Sequence, residues 1–211
     1  MVWTALVFLA MLATLLLAEY LSLKKNLHSE LSRKFVHVTV GTFAAFWPFF
    51  LTWGQIQLLS VIALAGMITS LKLNLFQSMH NVTRATYGEI LSVVAVGTLA
   101  FLVHDPWVFA AAMLHLSLAD GLAAVAGLAW GRGNTYRVLG LAKSVAGTAT
   151  FFIISVLIMV AYQLFSGNEL PLTTLALLPV VTTVAENLSG RGTDNLIIPL
   201  LVALVLVNPL A

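Results

Sequence analysis

A succession of apolar runs, each near the length of a bilayer crossing and each closed by a short polar turn, constrains this chain most. A helix needs about 20 mainly apolar residues to cross the hydrocarbon core. Eight runs qualify, at 2–23, 35–52, 55–72, 88–103, 107–130, 145–165, 172–187 and 195–210. Inside hydrocarbon every backbone N–H and C=O must bond internally, so such runs are helices rather than isolated strands. The expected fold is therefore all-α: a polytopic transmembrane bundle of about eight spans, forming one membrane-embedded domain over 1–211. The fourth and seventh runs are short, so seven spans plus a re-entrant helix is the alternative. Composition agrees: 60% of residues are hydrophobic and 9% charged, where soluble domains carry about 25% charged residues. The first run has no basic stretch before it and no convincing cleavage site, which reads as a retained helix.

The ten Lys and Arg residues set an orientation. Lys24, Lys25, Arg33 and Lys34 follow the first run; Lys72 and Arg84 follow the third. Arg132, Arg137 and Lys143 follow the fifth, and Arg191 follows the seventh. All fall on one side of an alternating topology, which the positive-inside rule makes cytoplasmic, with both termini outside. A multi-pass protein of the cell's inner membrane is expected, its polar chemistry facing the cytoplasm. Trp47, Trp53 and Trp107 near the opposite loops fit an aromatic belt. The absence of cysteine excludes thiol nucleophiles, disulfides and zinc–thiolate sites. A net charge of +2 without a basic–aromatic patch argues against nucleic acid.

Asp120 is the residue most out of place. It stands inside an apolar run, where a carboxylate is costly unless it pairs, meets water or holds a metal. Asp120-Gly121 is expected to interrupt the span, with 122–130 lying along the interface. Magnesium prefers one or two carboxylates plus substrate phosphates, which makes Asp120 the leading ligand candidate. Lys143 and Ser144 open the next run, and a helix N-terminus with a lysine and a hydroxyl suits phosphate. The plain alternative is an Asp–Lys pair without chemistry.

Three further turns carry similar groups. Arg33, His37 and Gly41 share a helix face; the guanidinium suits phosphate, and His37 could bond a phosphate or an acceptor hydroxyl. Otherwise Arg33 and Lys34 are topology anchors. Arg84 could contact phosphate, and Glu89 begins a run where the helix dipole favours a carboxylate that can still ligate a metal. The last turn, from Glu186 through Arg191 to Asp194 and Asn195, gathers acids, amides and a cation. Asp194 could cap the final helix, hold a second metal or meet a nucleotide group. Polar groups crowding one membrane face suit an enzyme that joins a charged donor to a membrane-dissolved acceptor.

The order Arg33-Lys34-x-x-His37-x-x-x-Gly41, Arg84-x-Thr86-Tyr87-Gly88-Glu89, Ala119-Asp120-Gly121, Lys143-Ser144-x-x-Gly147-Thr148, then Glu186, Asp194-Asn195 and Pro199, resembles the polyprenol, dolichol and phytol kinase family. Its relatives include CTP-dependent diacylglycerol kinase and, more remotely, phosphatidate cytidylyltransferase. The resemblance implies transfer of the γ-phosphoryl group of CTP, with Mg2+, to an isoprenoid alcohol. It implies catalytic roles for Asp120, Lys143, His37 and Glu89. It also implies donor contacts from Arg33, Arg84, Gly121, Ser144, Gly147, Thr148, Arg191 and Asn195. Metal ligands would come from Asp120, Glu89, Glu186 and Asp194. Dolichol-kinase-like members often carry an acid just before the glycine of the Lys-Ser motif. Ala146 at that position looks more like the phytol branch. The rival readings are a diacylglycerol kinase, a lipid-phosphate cytidylyltransferase and, from another class, a transporter using Asp120 and Glu186 as coupling groups.

Overall fold

The computed structural model describes residues 6–7, 9–10, 12–14, 16–17, 20, 29–73 and 87–210. The described residues among 6–20 are helical. Arg84 and most of the first expected span lie outside the described residues.

Helix α1 spans Ser29–Ala45 and gives way to a 3-10 turn at Trp47–Phe49. The residue before a proline is disfavoured in helical geometry, and Pro48 stands inside that turn, so the helix stops short of the expected 52. Helix α2 runs Trp53–Leu73 and α3 Gly88–Leu102. Asp105 then caps α4 (Pro106–Leu114), accepting hydrogen bonds from the amides of Trp107 and Val108 at 2.7 and 3.1 Å. The helix does not break at Asp120-Gly121 as expected. It widens into a π turn at His115–Ala119 and continues as α5, Asp120–Trp130. Two side chains serve carbonyls at this wider turn: His115 Nδ1 meets Ala111 O at 2.8 Å, and Ser117 Oγ donates to Met113 O at 2.9 Å. Helices α6 (Val145–Phe165), α7 (Leu172–Leu188) and α8 (Asp194–Val207) complete the bundle.

The expected all-α fold needs one correction. Between α5 and α6 lies a two-stranded antiparallel hairpin, β1 (Thr135–Val138) and β2 (Leu141–Ser144). Its two-residue turn holds Leu139 at φ 49° and Gly140 at φ 80°. Two successive positive φ values make the type I′ turn, whose twist matches that of the flanking strands.

Among the described residues, three helical stretches are long and apolar enough to cross a membrane: Trp53–Ser70, Pro106–Trp130 and Val145–Phe165. The second is 72% buried against 22% and 33% for the others, so it is the central post of the bundle. α3, α7 and α8 are apolar but shorter. The two ends of the bundle differ chemically. At one end Phe49 meets Trp107 with ring centroids 4.9 Å apart, and Trp53 lies 5.8 Å from both His104 and Phe109. Trp47, expected in an interfacial belt, is instead buried in the core. The other end gathers the cations and acids.

Candidate active site

The site begins with how closely α1 can approach the central post. A Cβ on Gly41 would stand 2.5 Å from Ser117 Cβ, and one on Gly121 would stand 2.2 Å from Val38 Cγ2. Small residues let helix backbones come together where lipid gives no hydrophobic drive for association. The approach carries Lys34 onto Asp120: Lys34 Nζ lies 2.6 Å from Asp120 Oδ2, and both side chains are buried. His37, one turn along, places Nε2 3.4 Å from the same oxygen and 2.8 Å from Leu116 O. A carbonyl only accepts, so Nε2 carries the proton, and Nδ1 is left as the acceptor nitrogen. Gly121→Ala forces Val38 aside in this seam. It is expected to cost about 1–3 kcal/mol, as overpacking does, read as a lower thermal midpoint in detergent.

The expected partner of Asp120 was Lys143; the structure pairs Asp120 with Lys34, and Lys143 with Glu186. Lys143 Nζ donates to Glu186 Oε1 and to Glu186 O, both at 2.6 Å. An ammonium has three donors, so two are engaged by this one residue. The hairpin makes the pairing possible. Tyr136 is the cross-strand partner of Lys143 in the register, and cross-strand partners project on one face. While Lys143 grips Glu186, the Tyr136 hydroxyl bonds Asn187 and lies 2.5 Å from Thr148 Oγ1. Two neighbouring residues of the hairpin face thus grasp two consecutive residues of α7. Thr148 is part of this clasp, with its Oγ1 3.2 Å from Asn187 Oδ1.

Ser144 caps α6, accepting from Gly147 N at 3.1 Å. Gly127, Gly131 and Gly147 crowd around its hydroxyl; a Cβ on Gly131 would lie 2.2 Å from Gly127 O. The turn from α7 to α8 completes the cluster. Gly190 packs on Leu141 of the hairpin. Arg191 and Gly192 take positive φ values of 54° and 87°, and Arg191 O accepts from Tyr87 N at 3.1 Å at the head of α3. Asp194 does not cap α8: Thr193 holds that position, and Asp194 is the first helical residue. Its Oδ1 is buried without a hydrogen-bond partner, as is Asn195 Oδ1. Asp194 lies within electrostatic range of Asp120 and Lys34 and of Lys143 and Glu186, so the two ion pairs belong to one polar cluster.

Glu89, in the first turn of α3, receives Arg33 NH1 at 3.3 Å. Arg33, His37 and Glu89 also rim a cavity of about 380 Å³ whose remaining walls are almost wholly apolar. His37 therefore borders both the cavity and Asp120.

Among the described residues, no three His, Asp or Glu side chains form a ready metal cage. Magnesium does not need one, since it takes one or two carboxylates and completes its shell with water and phosphate. Asp194, with its orphaned oxygen, fits that requirement. Asp120, Glu89 and Glu186 each meet a cation through one carboxylate oxygen, which leaves the other oxygen to face a metal.

Lys34 is the residue that the sequence reading passed over, as a topology anchor. The available signal was its i, i+3 spacing to His37, which puts both on one helix face.

No protein-family profile matches the chain, and no solved structure is similar to it. The chain is 31% identical over 201 residues to a phytol kinase from Synechocystis sp., covering 92% of this chain and 85% of that protein.

Proposed function

This chain belongs to the polyprenol and phytol kinase family, phosphotransferases acting on an alcohol, and we propose that it transfers the γ-phosphoryl group of CTP to a prenyl alcohol of the phytol or geranylgeraniol type. One observation carries the reading. His37 joins an apolar cavity to a buried carboxylate, so a lipid alcohol in the cavity presents its hydroxyl to the polar cluster around Asp120. The protein is read as a multi-pass membrane enzyme, with the charged end of the bundle at the cytoplasmic surface of the inner membrane. The basic residues that the topology rule assigns to that side support this.

The triphosphate binds against this polar cluster. Phosphoryl transfer depends mainly on positioning and on offsetting negative charge. Lys143 presents its remaining donor to phosphate oxygens, and Glu186 fixes where that donor points. The Ser144 hydroxyl accepts from Gly147 N and still has its own hydrogen to donate. Asp120 and Asp194 would hold magnesium, which when bound would offset the negative charge of the triphosphate. Arg33, Arg84, Arg191 and Asn195 are assigned to the donor side. The acceptor hydroxyl approaches from the cavity, and His37 orients it. Its oxygen bonds to the γ-phosphorus while the bond to the β–γ bridging oxygen breaks. The hydroxyl proton passes to His37 Nδ1. Lys34 holds the Asp120 carboxylate in place.

The test is purified protein with γ-labelled CTP or ATP and a panel of phytol, geranylgeraniol, a long polyprenol and diacylglycerol. Label entering phytol or geranylgeraniol from CTP in preference to ATP is the expected result. Label entering only diacylglycerol overturns the acceptor assignment.

A further inference from the structure

The cavity has an inner end as well as a mouth. α1 packs on the central post and α2 packs on α3, but α1 and α2 scarcely touch, and the cavity is the gap between them. One face of α1 lines it from Arg33 through His37 and Val40 to Ala44, and Trp47 of the following 3-10 turn continues the wall. Trp47 is almost fully buried, and its ring stands edge-on to Phe43, with centroids 6.4 Å apart at 87°. A large indole therefore closes the end farthest from Arg33 and His37.

We propose that Trp47 is the floor of the acceptor site and limits the prenyl chain to three or four isoprene units. This rests on the alcohol-kinase reading above and adds a chain-length limit to it. At 1.5 Å per helical residue, Ala45 at the end of α1 lies about 12 Å along the axis from His37 and about 18 Å from Arg33, and Trp47 follows just beyond it in the 3-10 turn. With single bonds of about 1.5 Å in zigzag, an extended isoprene unit spans about 5 Å. Three or four units fill the depth; a long polyprenol meets the indole while its hydroxyl is still short of His37.

Two variants move the limit in opposite directions. The Trp47 indole N–H has no hydrogen-bond partner, so Trp47→Leu removes an unsatisfied donor along with the ring. Gly66 lines the cavity from α2, nearer the mouth, and a Cβ there meets nothing within 4 Å. Gly66→Phe therefore projects into empty space, and replacing a helical glycine favours the helix. Pocket size differences of this kind shift selectivity by about tenfold or more. In Trp47→Leu, the kcat/KM ratio of a long polyprenol over geranylgeraniol is expected to rise by at least that factor. In Gly66→Phe, the ratio of geranylgeraniol over ten-carbon geraniol is expected to fall by at least that factor. An unchanged chain-length profile in Gly66→Phe, with the variant folded, overturns the proposal even where Trp47→Leu fails to fold. A wild-type protein that phosphorylates no prenyl alcohol defeats the kinase reading instead, and the two failures are told apart in the same assay.

Discussion

Asp120→Asn is expected to lower phosphoryl transfer to a prenyl alcohol by about 10³-fold, in the range seen when a preorganised charge-stabilising group is removed. The substitution keeps the shape of the side chain and an oxygen that can accept from Lys34 Nζ, now 2.6 Å away. It removes the negative charge that would hold the metal. It also leaves Lys34 buried without its counter-charge, and breaking a buried pair costs about 3–5 kcal/mol. Lost activity alone could therefore reflect lost folding. Asp120→Asn combined with Lys34→Met removes both charges and so the stranded cation. The double variant is expected to recover much of the thermal midpoint and none of the activity. Recovery of transfer in the double variant would show that Asp120 serves only to neutralise Lys34.

Lys143→Met is expected to reduce kcat/KM for the nucleotide by about 10²–10³-fold. Two separate losses contribute: the donor aimed at phosphate, and the clasp between β2 and the end of α7. Glu186→Gln separates them. Glutamine keeps an oxygen for Lys143 to bond but has no charge to give a metal, so a positioning role predicts a loss well below that of Lys143→Met. A loss from Glu186→Gln equal to that from Lys143→Met would make Glu186 a metal ligand. The clasp through Tyr136 and Asn187 stays in place in both variants, which keeps the hairpin docked during the comparison.

Much of the helical layout is legible in the chain. The run at 145–165 coincides with α6, and the run at 88–103 overlaps α3 almost to the residue. Apolar length, together with an opening Ser144 or a closing polar turn, fixes such boundaries locally. The misses arise where tertiary packing decides. Nothing local to His115–Ala119 announces a π turn, because that extra width serves the docking of α1 through Ser117 and Gly41. The hairpin did have a signal. Thr135, Tyr136, Arg137 and Val138 favour extended backbone, and Leu139-Gly140 puts a turn glycine between two short runs. Strands of only four residues are a weak signal beside the long apolar runs that flank them. At the site, the sequence identifies the residue types that cluster but not their partners. Asp120 meets Lys34 rather than Lys143 because the small-residue seam brings α1, not the hairpin, against the central post. Trp47 was assigned to the interface by its place in the sequence, whereas the Pro48 turn folds it inward.

The most direct measurement follows the label of CTP into lipid. With purified protein, magnesium and phytol or geranylgeraniol, γ-phosphorus label is expected in a prenyl monophosphate, and α-phosphorus label is expected to stay in the water-soluble nucleotide. Recovery of the α-label in the lipid product would mean nucleotidyl transfer, and would contradict a hydroxyl attacking the γ-phosphorus from the cavity beside His37.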